Sequence, residues 1–148
     1  MNLHYSKLLR VISFLVFASL HTLSFGQNKY YCDPIASGAN DGSSWTDAYT
    51  TIQQCFDDED LDASDTVFLA AGTYTESDIQ PGSDDGGFVI IGFTMESTVI
   101  DAESNNRVFF LDNDGNDNIK FEKLTIKDGS WSNGSGIYIS KTNSKIIT

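Results

Sequence analysis

Short apolar runs recur along this chain at regular intervals, and this recurrence limits its fold more than any other feature. The runs are rich in Val, Ile and Phe, and the breaks between them hold Gly, Asn, Asp and Ser, which is typical of short strands joined by turns. One series of comparable runs is spaced by 22, 30 and 27 residues and begins at Val67, Val89, Ile119 and Ile146. A second series, Phe109 and Tyr138, is spaced by 29. Such periods indicate stacked units, either a meander of hairpins or a parallel β-solenoid.

The first 26 residues have the pattern of a secretory signal peptide. Lys7 and Arg10 precede an apolar run, and Ser24 and Gly26 supply small residues before a cut at Gln27. The run is too short and wrongly flanked for a membrane span. We therefore expect a mature chain without a transmembrane span, either secreted to the extracellular space or displayed on the surface of the outer membrane.

The mature chain, residues 27–148, contains no histidine, because His4 and His21 both lie in the signal segment. Ser-His-Asp and Cys-His catalysis are therefore excluded within it, and a catalytic zinc site is not expected. It carries seven basic and 21 acidic side chains, a net charge of −14. Residues 27–106 hold 16 of the acids against Lys29 alone, so this stretch repels polyanions and nucleic acid is not an expected partner.

Two cysteines remain in the mature chain, Cys32 and Cys55. In an oxidising compartment an even number of cysteines favours pairing. A disulfide between these two would close a loop and stabilise the folded state by about 3 kcal/mol on the chain-entropy model. The alternative is two buried thiols that pack as small apolar groups.

A short helix is predicted near the start of the mature chain, over about Thr50 to Phe56. Thr50 with Gln53 fits a capping box, which satisfies backbone N–H groups of the first turn. The acidic run 57–60 is expected beyond the last turn, because negative charge is unfavourable at the C-terminus of a helix. An apolar stripe at helical spacing consists of Trp45, Tyr49, Ile52 and Phe56. Cys55 borders this stripe and is therefore expected to face inward.

The ordered blocks of the mature chain resemble a known family. They are YYCD (30–33), GANDGSSW (38–45), AYTTIQQ (48–54), VFLAAGTY (67–74), STVIDAESNNRVFFL (97–111), LTIKDG (124–129) and GSGIYIS (134–140). This string is similar to the N-terminal part of secreted right-handed parallel β-helix proteins of the pectate-lyase-like superfamily, and to the repeats of polymorphic outer-membrane proteins. The resemblance implies an all-β, right-handed parallel β-helix, with a capping helix over the first rung and inward side chains stacked from rung to rung.

The signal pattern and the resemblance together predict a division of the chain. We expect a signal peptide over 1–26, an N-terminal strand, loop and capping helix over 27–65, and the first rungs over 66–148. Strands are predicted over 30–32, 66–70, 87–93, 97–101, 107–111, 118–126, 137–140 and 145–148. The family continues through more rungs, and a last strand without a partner would expose backbone groups. We therefore expect a C-terminally incomplete β-helix of about three rungs, with the remainder of the same polypeptide beyond Thr148.

Lyases of this superfamily use Ca²⁺ and an Arg or Lys base to remove the proton beside a uronate carboxylate. The available bases here are Arg107, Lys123 and Lys127. The favoured interpretation is that all three are solvated strand residues without a catalytic role. No catalytic residue is assigned. The best candidate Ca²⁺ ligands are Asp112, Asp114 and Asp117 in a polar loop, and the alternative is an ordinary turn between strands.

Trp131, in a Gly/Ser/Asn-rich loop, and Tyr138 are candidate ligand-binding residues, because an exposed aromatic ring can stack on the face of a sugar. The alternative is a loop anchor packed on the solenoid. Together these features predict a non-catalytic, adhesin-like surface protein that contacts a polysaccharide or cell-surface glycan. The other hypothesis is the N-terminal part of a polysaccharide lyase or glycoside hydrolase with its active site in later rungs.

Overall fold

The computed structural model describes residues 26–83, 85–111 and 118–140 of this chain. Apart from Gly26, the predicted signal peptide lies outside these ranges, and so do the predicted strand 145–148 and Ile146. The described residues form nine short strands and one helix: β1 (Lys29–Cys32), α1 (Ile52–Asp58), β2 (Thr66–Leu69), β3 (Gly72–Thr75), β4 (Val89–Gly92), β5 (Thr98–Asp101), β6 (Phe109–Leu111), β7 (Lys120–Glu122), β8 (Thr125–Lys127) and β9 (Ile137–Ile139).

The strands form three sheets in which every strand pair of the described ranges is parallel. The first sheet has the order β1-β2-β4-β7, the second β3-β5-β8, and the third β6-β9. Ile79 adds an isolated parallel bridge to Phe109 of the third sheet. From β2 onward the chain therefore visits the first, second and third sheets in the same order three times. The predicted predominance of β-structure with one short helix is confirmed, and the parallel pairing excludes a meander of hairpins in this part of the chain.

Buried columns of side chains run across the sheets. In the first sheet Val67, Ile90 and Phe121 are in register and buried, and in the second Tyr74 and Ile100 are paired and buried. Removal of such apolar surface from water is the main stabilising contribution to the fold. The starts of the comparable apolar runs do not mark the register of the strands. Val67 pairs with Ile90 and not with Val89, because apolar residues occupy both faces of β4.

The predicted strand 118–126 is two strands in the structure. Lys123 has a positive φ of 54°, which ends β7 before β8 begins. The carbonyl oxygen of Lys123 packs so closely on Gly92 that a Cβ there would lie 2.2 Å away. A second difference concerns residues 72–75, which form β3 although the sequence predicted the end of a strand at this point.

The N-cap of the helix lies one residue later than predicted. Its N-cap is Thr51, whose hydroxyl accepts a hydrogen bond from the backbone N–H of Gln54 over 3.2 Å. Thr50 instead belongs to the preceding loop, where its N–H donates to the Asn40 side-chain oxygen over 2.9 Å. The predicted Thr50–Gln53 capping box is therefore wrong. The prediction that the acidic run lies wholly beyond the helix is also wrong, since Asp57 and Asp58 form its last turn.

The inward face of α1 matches the sequence pattern except at Trp45. Ile52, Cys55 and Phe56 are buried, and Tyr49 is buried just before the helix. Trp45, predicted to join them in the core, is 47 % exposed and packs edge-on against Tyr31 with ring centroids 4.8 Å apart. Residues 41–47 form a series of bends rather than a helical turn, so helical spacing does not apply to Trp45.

Candidate functional site

Four residues of the third sheet and its flanking loops meet in one cluster. The guanidinium carbon of Arg107 lies 3.7 Å from the ring centroid of Phe110, 5.3 Å from that of Trp131 and 5.2 Å from that of Tyr138. We call this set, Arg107, Phe110, Trp131 and Tyr138, the aromatic–arginine cluster. All three distances lie within the range of a cation–π contact. The structure thus brings together Trp131 and Tyr138, which the sequence had proposed as ligand-binding residues.

The third sheet places two of the rings side by side. Phe110 of β6 and Tyr138 of β9 are in-register partners, and their rings stack with centroids 5.7 Å apart and planes inclined by 25°. Side chains of a strand alternate between faces, and the neighbours Phe109 and Leu111 are buried in the core. Phe110 and Tyr138 therefore line the outer face of the third sheet, where each is partly exposed.

The loop between β8 and β9 carries Trp131 to the same face. A backbone hydrogen bond of 2.8 Å from Ser130 N–H to the Asn106 carbonyl holds the loop beside the residue that precedes Arg107. Gly129 allows the loop to fold back on itself, because a Cβ at this position would lie only 1.7 Å from the Ser135 carbonyl oxygen. The result is an indole that contacts the cluster and is still 47 % exposed.

Arg107 is largely buried and forms an ion pair with Asp78, so the interpretation of Arg107 as a solvated strand residue is wrong. Its side chain is 12 % exposed, and its Nε–H donates to Asp78 Oδ1 over 2.5 Å. The flat guanidinium packs on aromatic rings while it keeps an edge for hydrogen bonding, which a lysine ammonium cannot do. Because Asp78 balances its charge, the cluster presents aromatic faces with a neutral ion pair behind them.

Lys127 is poorly suited to act as the proton-removing base of a lyase. Its Nζ lies 2.5 Å from Asp101 Oδ2 and 2.7 Å from Asp128 Oδ2. The hydrogen bond to Asp101, together with that to Asp128, raises the pKa of the Lys127 ammonium well above its usual range. The amine therefore stays protonated at neutral pH and holds no lone pair to accept a proton.

The proposed Ca²⁺ ligands Asp112, Asp114 and Asp117 lie outside the described residues, so this site stays a prediction. Among the described residues, no group of three or more His, Cys, Asp or Glu side chains is arranged to hold a metal ion. The predicted disulfide also stays a prediction, since Cys32 and Cys55 are free, buried thiols here.

Sequence reasoning missed Phe110 and Asp78, and it gave Arg107 the wrong environment. For Phe110 a signal was available, because the run Arg107–Leu111 places two phenylalanines on opposite faces of one strand, and one of them must point outward. Asp78 had no such signal. It reaches Arg107 only because the chain returns to the third sheet 29 residues later.

No family model, curated protein or solved structure matches the chain. The one helix of the described ranges, α1, has seven residues and is too short to span a bilayer.

Proposed function

We propose that this chain is a secreted or surface-exposed right-handed parallel β-helix that contacts neutral glycans through the aromatic–arginine cluster, in the manner of an adhesin. The observation that carries the proposal is the meeting of three aromatic rings around one enclosed arginine on the outer face of the third sheet. The proposal concerns binding and assigns no catalytic residue.

The β-helix is supported by the order in which the chain visits its sheets. In each of three successive passes the chain supplies a strand to the first sheet, then one to the second, then a strand or bridge to the third. Each strand pairs in parallel with its counterpart from the next pass, as in a coil of stacked rungs. Right-handed winding is expected because connections between parallel strands are right-handed in nearly all proteins.

Glycan contact is supported by the chemistry of the exposed rings. The C–H groups on one face of a sugar ring pack on an aromatic face, and tryptophan and tyrosine add polar edges that can hydrogen-bond to hydroxyls. Trp131 supplies the most exposed ring of the cluster, and Tyr138, which packs on the same guanidinium, is partly exposed. The rings pack on the Arg107 guanidinium, so their side chains are already ordered and little side-chain entropy would be lost when a ligand binds.

Neutral rather than acidic sugars are favoured by the local and overall charge. Asp78 already balances the positive charge of Arg107, so an anionic sugar would have to displace a carboxylate from the guanidinium. The strongly negative stretch 27–106 adds long-range repulsion toward polyanions. The lyase hypothesis has less support from the charge, since uronate polymers are anionic.

The test is affinity electrophoresis in gels that contain a soluble neutral polysaccharide, with galactomannan, xylan and mixed-linkage β-glucan as the panel and polygalacturonate as its acidic member. We expect at least one neutral polymer to retard the protein. Trp131→Ala should weaken this retardation about tenfold, as expected for the loss of about 1.4 kcal/mol of stacking.

Trp45 provides a matched control, because it is the same residue type with the same 47 % exposure but packs on Tyr31 of the first sheet. Trp45→Ala should leave the retardation unchanged. Equal weakening by both variants, or no retardation by any neutral polymer, would contradict the proposal.

A further inference from the structure

The two cysteines come from different elements and meet in the core. Cys32 ends β1, and Cys55 lies in the middle of α1. Both are fully buried in the same apolar cluster, and the Cys55 thiol is near enough to raise the pKa of the Cys32 thiol.

The backbone around the pair fixes this approach. The Asp33 N–H donates to the Tyr49 carbonyl over 2.8 Å, and the Tyr49 N–H donates to the Tyr31 carbonyl over 2.9 Å. The segment that leads into α1 is thereby attached on both sides of Cys32. The Tyr74 hydroxyl donates to the Cys32 carbonyl over 2.8 Å, which also ties β1 to the next pass of the chain.

The geometry points to an intramolecular disulfide between Cys32 and Cys55 that forms before α1 packs and then locks the helix to β1. A small-molecule disulfide, or a protein disulfide of an oxidising compartment, supplies the oxidant. The first cysteine thiolate attacks one sulfur of the oxidant and releases one thiol, and the second attacks the mixed disulfide and releases the other. The two cysteine sulfurs lose two electrons, which reduce the oxidant, and their two protons end on the released thiols.

Oxidation before packing follows from the state of the thiols in the folded chain. Both have no exposed surface, so an oxidant cannot reach them without local opening. The nearby Cys55 thiol, together with burial, raises the pKa of the Cys32 thiol well above its usual value. Since the thiolate is the attacking species, the folded and reduced chain should react slowly.

The test is refolding of the whole reduced chain in a glutathione redox buffer, followed by acid quenching, alkylation with a maleimide in denaturant, and mass measurement. We expect a product that takes up no maleimide and is lighter than the reduced chain by two hydrogens. Cleavage at aspartate should then give two peptides that separate only after reduction, since Asp33, Asp41 and Asp47 lie between the cysteines. Trypsin cannot make this separation, because no Lys or Arg lies between residues 30 and 106.

A second arm places the chain, already folded in reductant, in the same buffer, where oxidation should be at least tenfold slower. Cys55→Ala is the control and should take up one glutathione or one maleimide at Cys32. Two maleimides on refolded wild-type protein, or glutathione adducts in place of the internal bond, would overturn the proposal, and equal oxidation rates in the two arms would overturn the stated order of events. Because alkylation is done in denaturant, the readout does not depend on how well a variant folds, and it is independent of the proposed glycan binding.

Discussion

Arg107 and Asp78, 29 residues apart, are joined twice. The Arg107 Nε–H donates to Asp78 Oδ1 over 2.5 Å, and the Asp78 backbone N–H donates to the Arg107 carbonyl over 2.7 Å. The carboxylate is 42 % exposed, and ion pairs at such positions contribute only about 0–1 kcal/mol to stability. The main consequence of the pair is therefore local, because it aims the guanidinium at the rings and cancels its charge.

Removal of the Asp78 charge should change which polymers the cluster accepts. In Asp78→Asn the guanidinium regains an uncompensated positive charge beside exposed rings, so we expect new retardation by polygalacturonate in affinity electrophoresis. The free energy of unfolding should change by less than about 1 kcal/mol. Asparagine also tolerates the positive φ of 58° at this position.

The matched control for this substitution is Asp41→Asn, which removes the same charge from an exposed loop. The Asp41 carboxylate there accepts hydrogen bonds from Ser43. If Asp41→Asn produced equal retardation by polygalacturonate, overall charge rather than the Arg107–Asp78 pair would govern the choice of polymer.

Two glycines flank the loop that carries Trp131, and substitution by alanine should destabilise the protein at one of them and be tolerated at the other. Gly129→Ala would place a methyl group 1.7 Å from the Ser135 carbonyl oxygen, so the loop must shift. We expect a loss of about 1–3 kcal/mol in the free energy of unfolding and weaker polysaccharide retardation. At Gly136 the nearest atom, Cγ2 of Ile126, is 3.9 Å away, so Gly136→Ala should be tolerated. Urea titration measures both, and equal stability of the two variants would contradict the close approach at Gly129.

The sequence predicted the class of the fold because composition and spacing reflect local physics. Val- and Ile-rich runs favour strands, and Gly, Asn and Asp favour the turns between them. It could not predict the register, since β4 carries apolar residues on both faces and a shift of one residue leaves the pattern almost unchanged. Nor could it place Trp45, whose helical spacing to Tyr49 has no meaning in a segment of bends.

Only two aromatic residues of the candidate site were predicted from the sequence. Trp131 and Tyr138 could be proposed from residue type and a Gly-rich loop. Their arrangement around Arg107 depends on the pairing of β6 with β9, and the partner Asp78 comes from an earlier pass of the chain. Such contacts between distant parts of the chain follow from the register, which the sequence left open.

Glu76 should give the protein a pH-dependent stability of unusual sign. Its carboxylate accepts the Ile52 and Gln53 N–H groups at the start of α1 over 2.8 and 3.0 Å. Burial nevertheless raises the pKa of the Glu76 carboxyl above its ordinary value. Folding therefore favours the protonated acid, so its contribution to stability is fully present below the unfolded pKa of about 4.3 and is lost as pH rises through the folded pKa. Relative to Glu76→Gln, wild-type protein should lose stability as pH rises over this window.

Asp101 supplies a control of opposite sign. Its hydrogen bond to the Lys127 ammonium lowers the pKa of the Asp101 carboxyl. The contribution is present above the unfolded pKa and is lost as pH falls through the folded pKa, so wild-type protein should gain stability relative to Asp101→Asn as pH rises. Urea unfolding from pH 3 to pH 7 measures both differences. Slopes of the same sign would contradict the assignment of opposite shifts.

Adjacent residues of β4 test the register of the first sheet. Ile90 is fully buried between its in-register partners Val67 and Phe121, whereas Ile91 lies on the outer face between Phe68 and Glu122. Ile90→Ala leaves a cavity in the column and should lower the free energy of unfolding by about 2–5 kcal/mol. Ile91→Ala should cost about 1 kcal/mol or less, because no enclosed space is left behind. A register shifted by one residue would exchange the two positions, so a larger loss for Ile91→Ala in urea titration would overturn the pairing described here.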